Sequence, residues 1–329
     1  MRGKITGARL PHLPTKGART PAAAGYCFTI PFCYYKAVVS TDNTIIKPTA
    51  DLFIAALWSA PKNEPILRSL LSGVMIDTGL PPVIKATVLN PFNIQDYPAD
   101  KQIRLDVRVE DEMGQQYIVE VQRETHSGFF NRMLAYWSET YAAQLERGDG
   151  YTKLRPVRSI IITEFPVFPT LERLHAVFEL RSRENPDVLF SPHCQIHVLR
   201  LGDLLRNEFS GLEQFGLDLQ RWMQFWIFGD KLEENKMSAM LQDCPPVQSA
   251  YEEYKRFVAD PVMREKAKAR ERFLIDQQLN INEAREEGEA RGRTEEKIAT
   301  ARNMKKKGYS ITDIAELTGL PLSEVEQLS

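Results

Sequence analysis

Apolar side chains recur every three to four residues in two segments near position 50, which predicts two amphipathic helices. The first carries Leu52, Phe53, Ala56 and Leu57. Thr49 is the expected N-cap of this helix, because a threonine oxygen can accept from the first free backbone N–H groups. The second helix is predicted over residues 64–77, with an apolar face formed by Ile66, Leu67, Leu70, Leu71 and Val74.

Two later segments alternate between apolar and other residues, which predicts two β-strands. They cover residues 103–109 and 117–122, and a polar stretch that contains Gly114 joins them. This arrangement is typical of a β-hairpin. A hairpin that is symmetric about Met113 brings the apolar positions of both strands to one face and places residue 106 opposite residue 120.

The following segments predict a helix over 129–146, a buried strand over 157–163, a helix from about Pro169, a strand over 195–201 and a helix over 222–228. The expected apolar side of the first of these helices is Phe130, Met133, Leu134, Trp137, Tyr141 and Leu145. Strands that alternate with helices in this order indicate an α/β domain with a mixed sheet flanked by helices. We expect this domain to cover residues 46–230.

The two ends of the chain differ from this domain. Residues 1–45 are rich in Gly, Pro and Ala, and we expect a disordered N-terminal extension. Residues 231–329 are predicted to form a charged helical tail. Within it, 262–307 is expected to be a solvated helix broken at its glycines, or a weak coiled coil.

The chain ends in a small helix-turn-helix-like unit around Gly319. Its last segment contains Glu324 and Glu326 and no basic residue, which favours protein contact or regulation over DNA recognition. The C-terminal helices could also join copies of the chain into a homo-oligomer.

Composition narrows the classes of function. Lys and Arg number 42 against 44 Asp and Glu, which excludes a uniformly basic nucleic-acid-binding protein, so any contact with DNA needs a local patch. No run of eighteen apolar residues predicts a membrane span. The cysteines are Cys27, Cys33, Cys194 and Cys244. They form no CxxC pair, so we expect neither a zinc ribbon nor a disulfide framework, and the cytoplasm is the expected location.

The predicted hairpin brings two carboxylates and an amide to one face, at Asp106, Glu120 and Gln122. Two close carboxylates repel each other unless a cation lies between them, and Mg²⁺ or Mn²⁺ is the natural oxygen-liganded choice. The amide of Gln122 could orient a water molecule. By spacing alone, a solvated polar face of an antiparallel sheet is the commoner explanation of the same pattern.

Sequence motifs favour the metal-site hypothesis over the solvated face. The segment 105–109 with Asp106, then Gly114, then 117–122 with Glu120 and Gln122, resembles the D…ExQ core of the Rpn (recombination-promoting nuclease/transposase) branch of the PD-(D/E)XK nucleases. The resemblance continues through 47–51, through 130–138 and into the C-terminal repeats. It covers nearly all of the chain from residue 46 onward.

The resemblance implies a restriction-endonuclease-like fold and a metal-dependent DNA endonuclease linked to recombination or transposition. Asp106 and Glu120 would be metal ligands, together with the carbonyl of Val121. Gln122 stands where the wider superfamily has a lysine. An amide can hold a water molecule, but it brings no positive charge to the phosphate.

Arginines could supply the missing charge. Arg108 and Arg132 are the candidate substrate-binding residues, although each could instead form an ion pair within the sheet region, whereas Arg123 is expected on the opposite face. Three further candidates have simpler explanations: Asp51, Glu64 and His126 fit caps, solvated positions or a loop. A rival hypothesis is a DNA- or protein-binding module that keeps the fold without useful catalysis, and a nuclease acting on RNA also remains open.

Overall fold

The computed structural model describes residues 45–90, 107–123 and 128–328. The helices are α1 (Asp51–Ser59), α2 (Glu64–Asp77), α3 (Phe129–Ala142), α4 (Leu201–Arg206), α5 (Leu217–Phe228), α6 (Glu234–Leu241), α7 (Pro245–Ala259), α8 (Pro261–Lys306), α9 (Ile311–Thr318) and α10 (Leu322–Gln327). The strands are β1 (Thr87–Val88), β2 (Val107–Glu110), β3 (Gln116–Gln122), β4 (Val157–Thr163), β5 (His175–Arg181) and β6 (Leu189–Leu199).

The described strands form one mixed sheet in the order β1-β2-β3-β4-β6-β5. The β3/β4 and β4/β6 pairs are parallel, and the other pairs are antiparallel. Every residue of the central strand β4 is buried, as expected for a strand covered on both faces. The predicted α/β fold, a mixed sheet flanked by helices with a helical C-terminal region, is confirmed.

The two faces of the sheet carry separate hydrophobic cores. The main core joins Val107, Val109, Tyr117, Val119, Ile160 and Ile162 to helices α1, α2, α5 and α7. The second core lies on the opposite face and contains Phe129, Met133, Ile161, Val167, Ala176 and Val198. Neighbouring residues of a strand point to opposite faces, so Ile160 lies in the main core and Ile161 in the second core.

The hairpin of β2 and β3 has the predicted register. Val107 pairs with Val119 and Arg108 pairs with Ile118, which is the pairing expected about Met113. The carboxylate of Asp111 accepts hydrogen bonds from the backbone N–H groups of Met113 at 2.8 Å and Gln115 at 2.9 Å. Gly114 adopts φ +74°, a conformation that glycine enters without steric cost. The turn chemistry therefore supports the register that the alternation predicts.

The N-terminal helices match their prediction with one correction. Helix α2 has the predicted limits, and all five of its predicted apolar residues are buried. The predicted N-cap of α1 is wrong, because Ala50 holds the N-cap position. The hydroxyl of Thr49 donates instead to the carboxylate of Glu164, at the end of β4.

The predicted apolar side of α3 is wrong in part. Phe129 and Met133 are buried against the sheet, whereas Phe130 is 41% exposed and Leu134 is 49% exposed. Both pairs have the i, i+4 spacing of a helical face, so the spacing alone did not decide which pair faces the sheet. The helix also ends at Ala142, four residues before the predicted limit.

The helix predicted from Pro169 is absent, and the chain forms strand β5 instead. Phe168 has φ +52°, which is not a helical conformation. Residues from His175 onward pair antiparallel with β6, so long-range pairing overrides the local helical pattern. The strand predicted at 195–201 is observed as part of β6, which is longer, and the helix predicted at 222–228 is part of α5.

Packing continues beyond residue 230. Met237 and Leu241 of α6 and Val247 and Tyr251 of α7 belong to the main core. The division of the chain at that position stays a prediction. Helix α8 is continuous through its glycines, and α9 and α10 are the two predicted short helices.

Two further findings concern membrane-spanning helices and the cysteines. In the part of the chain that the structure describes, no helix has the length and apolar character that a membrane crossing requires. Cys194 and Cys244 are buried free thiols, and burial raises the pKa of both.

Candidate active site on strand β3

Strand β3 presents two polar side chains on the face of the second core. In the parallel pairing with β4, Glu120 lies beside Ile161 and Gln122 lies beside Thr163. Ile161 belongs to the second core, and side chains at neighbouring paired positions share a face. Glu120 and Gln122 therefore lie on the side of the sheet that α3 covers.

Arg132 of α3 reaches both of these side chains. Its Nη2 atom donates to Oε1 of Gln122 at 2.9 Å, and the same atom lies 3.5 Å from Oε1 of Glu120. The Glu120 side chain is 14% exposed and that of Arg132 is 36% exposed. The prediction left a phosphate contact and an ion pair with the sheet open for Arg132, and the structure contains the ion pair.

The position of Arg108 is also as expected. It pairs across the hairpin with Ile118, so it shares a face with Glu120, two residues further along β3. The Arg108 side chain is half-buried, and its backbone N–H donates to Oδ1 of Asn90 at 2.6 Å. Val121, the third predicted metal ligand, packs against the main core on the opposite face.

Arg123 lies among carboxylates on the opposite side. Its guanidinium pairs with Glu271 of α8 and lies 3.8 Å from Glu164. Burial by itself lowers the pKa of Arg123, but the carboxylates of Glu271 and Glu164 outweigh that effect, so the net shift of this pKa is upward. Glu164 also pairs with Lys47, at 2.9 Å.

The two extra carboxylates suggested by the sequence have structural partners. Asp51 accepts from the backbone N–H of Leu52 at 2.7 Å and from Nε of Arg270 at 2.9 Å. Glu64 accepts from the backbone N–H of Ala86 at 3.0 Å and pairs with Arg68. These contacts agree with the simpler explanation of both residues, as groups that hold local structure.

Two predicted residues, Asp106 and His126, lie outside the described residues. Among the residues that are described, no group of three or more His, Cys, Asp or Glu side chains is arranged to hold a metal ion. The site nevertheless offers an oxygen ligand, the carboxylate of Glu120, whereas Oε1 of Gln122 accepts from Arg132. Carboxylate ligands suit hard divalent cations such as Mg²⁺, so the described part of the site fits a cation that shares Glu120 with a further carboxylate.

Comparison with protein-family models shows the family of this chain. A family model described as "PD-(D/E)XK nuclease family transposase" matches residues 48–284. The chain belongs to this family. The PD-(D/E)XK assignment agrees with the sequence resemblance and with the mixed sheet, and it identifies the protein as nuclease-like. No curated protein and no solved structure gives a significant match.

For this PD-(D/E)XK protein, two features of the site were not found from the sequence. Glu164 and Glu271 pair with Arg123, yet they come from a loop and from α8, far along the chain. The parallel register of β3 and β4 would have placed Glu164 near Arg123, because it follows Thr163, the partner of Gln122. No local signal marks Glu271.

Proposed function

We propose that this protein is an Mg²⁺- or Mn²⁺-dependent endonuclease that hydrolyses phosphodiester bonds in DNA, in a recombination or transposition setting. Asp106, Glu120 and Gln122 are the proposed catalytic residues. Family membership supports the nuclease class. The substrate, the metal and the residues are parts of the proposal.

The observation that carries the proposal is the register of the hairpin. Val107 pairs with Val119, and one further pair in the same register would join Asp106 to Glu120. This additional pair is part of the proposal, because Asp106 lies outside the described residues. It would bring two carboxylates together on the face where Gln122 and Arg132 meet.

Asp106 and Glu120 would hold the cation together with the carbonyl of Val121. A bound cation of this type lowers the pKa of a water molecule and stabilises charge on a phosphate. Arg108 and Arg132 are the proposed contacts for substrate phosphates, since both lie on the face of Glu120 and a guanidinium binds phosphate oxygens well.

The test is cleavage of plasmid DNA by the purified full chain, with Mg²⁺, Mn²⁺, Ca²⁺ or EDTA. We expect cutting with Mg²⁺ or Mn²⁺, and a loss of more than about a hundredfold in Asp106→Asn and Glu120→Gln, which remove charge without removing volume. Glu139→Gln is the matched control, because Glu139 is an exposed carboxylate of α3. A labelled RNA of the same sequence tests the choice of nucleic acid.

Two outcomes would reject this function. Cutting that survives both substitutions would point to a contaminant or to another site. No cutting of DNA with any metal, combined with tight DNA binding, would favour the binding module without catalysis.

A further inference from the structure

The role of Gln122 is the open chemical question at this site, because a neutral amide brings no charge to a phosphate. A glutamine side chain has one acceptor end, Oε1, and one donor end, Nε2. A guanidinium can only donate. The 2.9 Å contact between Nη2 of Arg132 and Gln122 therefore requires Oε1 at that position, and it fixes which way the amide is turned.

We propose that Arg132 and Gln122 act as one unit on the scissile phosphate, in which Arg132 holds the amide as a hydrogen-bond donor and supplies the positive charge that the amide lacks. This proposal rests on the proposed nuclease function. It makes Arg132 the positioning residue of Gln122. It also argues against a role in which Oε1 of Gln122 orients the attacking water, because Oε1 already accepts a hydrogen bond from Arg132.

The distances around Arg132 support a charge that is only partly neutralised. Its contact with Glu120 is longer, at 3.5 Å, than its contact with the amide of Gln122. Arg123, in contrast, has two carboxylate partners, Glu164 and Glu271. Of these two arginines, Arg132 is also the more exposed, at 36% against 23%.

Helix α3 fixes the guanidinium in this position. Phe129 is buried in the second core, and the guanidinium carbon of Arg132 lies 5.7 Å from the centre of its ring. Such a contact holds a planar cation over an aromatic face.

The decisive experiment moves the charge between the two positions. Arg132→Gln removes it, and Gln122→Lys in the Arg132→Gln background restores one cation on the strand. We expect Arg132→Gln to lower kcat about 100- to 1000-fold with a smaller change in KM. The double variant should have a kcat at least about tenfold higher than that of Arg132→Gln. The matched control is Arg147→Gln, because Arg147 is an exposed arginine that follows α3.

A second variant separates catalysis from structure. In Gln122→Glu, a carboxylate replaces the amide and would pair with Arg132 more strongly, so the thermal stability should be kept or raised. The same carboxylate would repel the phosphate, and cleavage should fall at least about a hundredfold. If Arg132 serves only to tie α3 to the sheet, Arg132→Gln should lower the thermal stability and leave cleavage by the folded protein within threefold of the wild type.

Binding without metal gives a readout that does not depend on turnover. In EDTA, the slope of log affinity for a DNA duplex against log salt should fall by about one in Arg132→Gln and stay unchanged in Arg147→Gln. The proposal is overturned if the wild type cuts DNA and Arg132→Gln cuts within threefold of it, or if the double variant is folded and no better than Arg132→Gln. A wild type that cuts under no metal condition rejects the nuclease function itself, which is a different result.

Discussion

Arg123 and Arg132 lie on the two sides of the end of β3 and have opposite surroundings. Arg123 pairs with two carboxylates that are themselves nearly buried, with side-chain exposures of 8% for Glu164 and 12% for Glu271. Arg132 shares a partly exposed position with Glu120 and a neutral amide. Two identical side chains near one strand end thus differ in their partners and in their exposure.

The Arg123 side fastens distant parts of the chain to the sheet. Glu164 binds Lys47 and Thr49 from the segment before α1, and Glu271 belongs to α8. A second ion pair, between Asp51 of α1 and Arg270 of α8, lies beside it along both helices. The end of the strand that carries Gln122 is therefore held from one side by a charged network, whereas on the other side Gln122 contacts Arg132.

The largest effect on stability should come from removing the Arg123 charge. Arg123→Met leaves two poorly exposed carboxylates without their shared cation, and we expect a loss of about 3 kcal/mol in the free energy of unfolding. The measurement is urea denaturation of the full chain.

Arg132→Met is the matched control for this prediction. Its ion pair is longer and more exposed, so its removal should cost less than about 1 kcal/mol. Equal losses for the two methionine variants would show that the two sides of β3 do not differ in the way described.

The two sides also differ in how far they could be predicted. Alternation along β2 and β3, together with the turn at Asp111 and Gly114, was sufficient to place Glu120 and Gln122 on one face. These are local signals. The partner Glu271 lies 148 residues from Arg123, and no periodicity connects residues at that distance.

The errors in the predicted fold have the same origin. Phe129 and Phe130 both begin an apolar i, i+4 pair in α3, and only packing against the sheet decides that Phe129 is buried. Strand β5 was mistaken for a helix because its identity depends on β6, which follows it in the chain. The limits of α2 were predicted correctly because one amphipathic face and flanking breakers define them locally.

Acid should destabilise the sheet through a buried group on β6, His197. His197 is buried, and its ring lies 3.1 Å from that of His175, which in turn binds Asp77 at 2.7 Å. Burial, with smaller contributions from His175 and Arg158, lowers the pKa of His197 from 6.5 to about 3. Between pH 6.5 and pH 3, His197 is therefore protonated in the unfolded chain and neutral in the folded protein.

The contribution of neutral His197 to the free energy of unfolding should accordingly be fully present above pH 6.5. The free energy of unfolding should fall as the pH decreases below that value, with a slope approaching about 1.4 kcal/mol per pH unit. Urea denaturation between pH 7 and pH 5 measures this slope. His197→Gln should flatten it, whereas His193→Gln, another change on β6, should leave it in place. A steep slope that persists in His197→Gln would assign the acid sensitivity to other groups.

A small effect should come from Thr49, at the outer end of the Arg123 network. Its hydroxyl donates to Glu164, and Thr49→Val keeps the shape of the side chain while removing that donor. Because Lys47 and Arg123 still neutralise Glu164, we expect a loss of about 1 kcal/mol in the free energy of unfolding. In the Arg123→Met background the same substitution should cost more, since Glu164 then has fewer donors. Additive losses in this double-mutant cycle would mean that Thr49 and Arg123 do not act through a shared carboxylate.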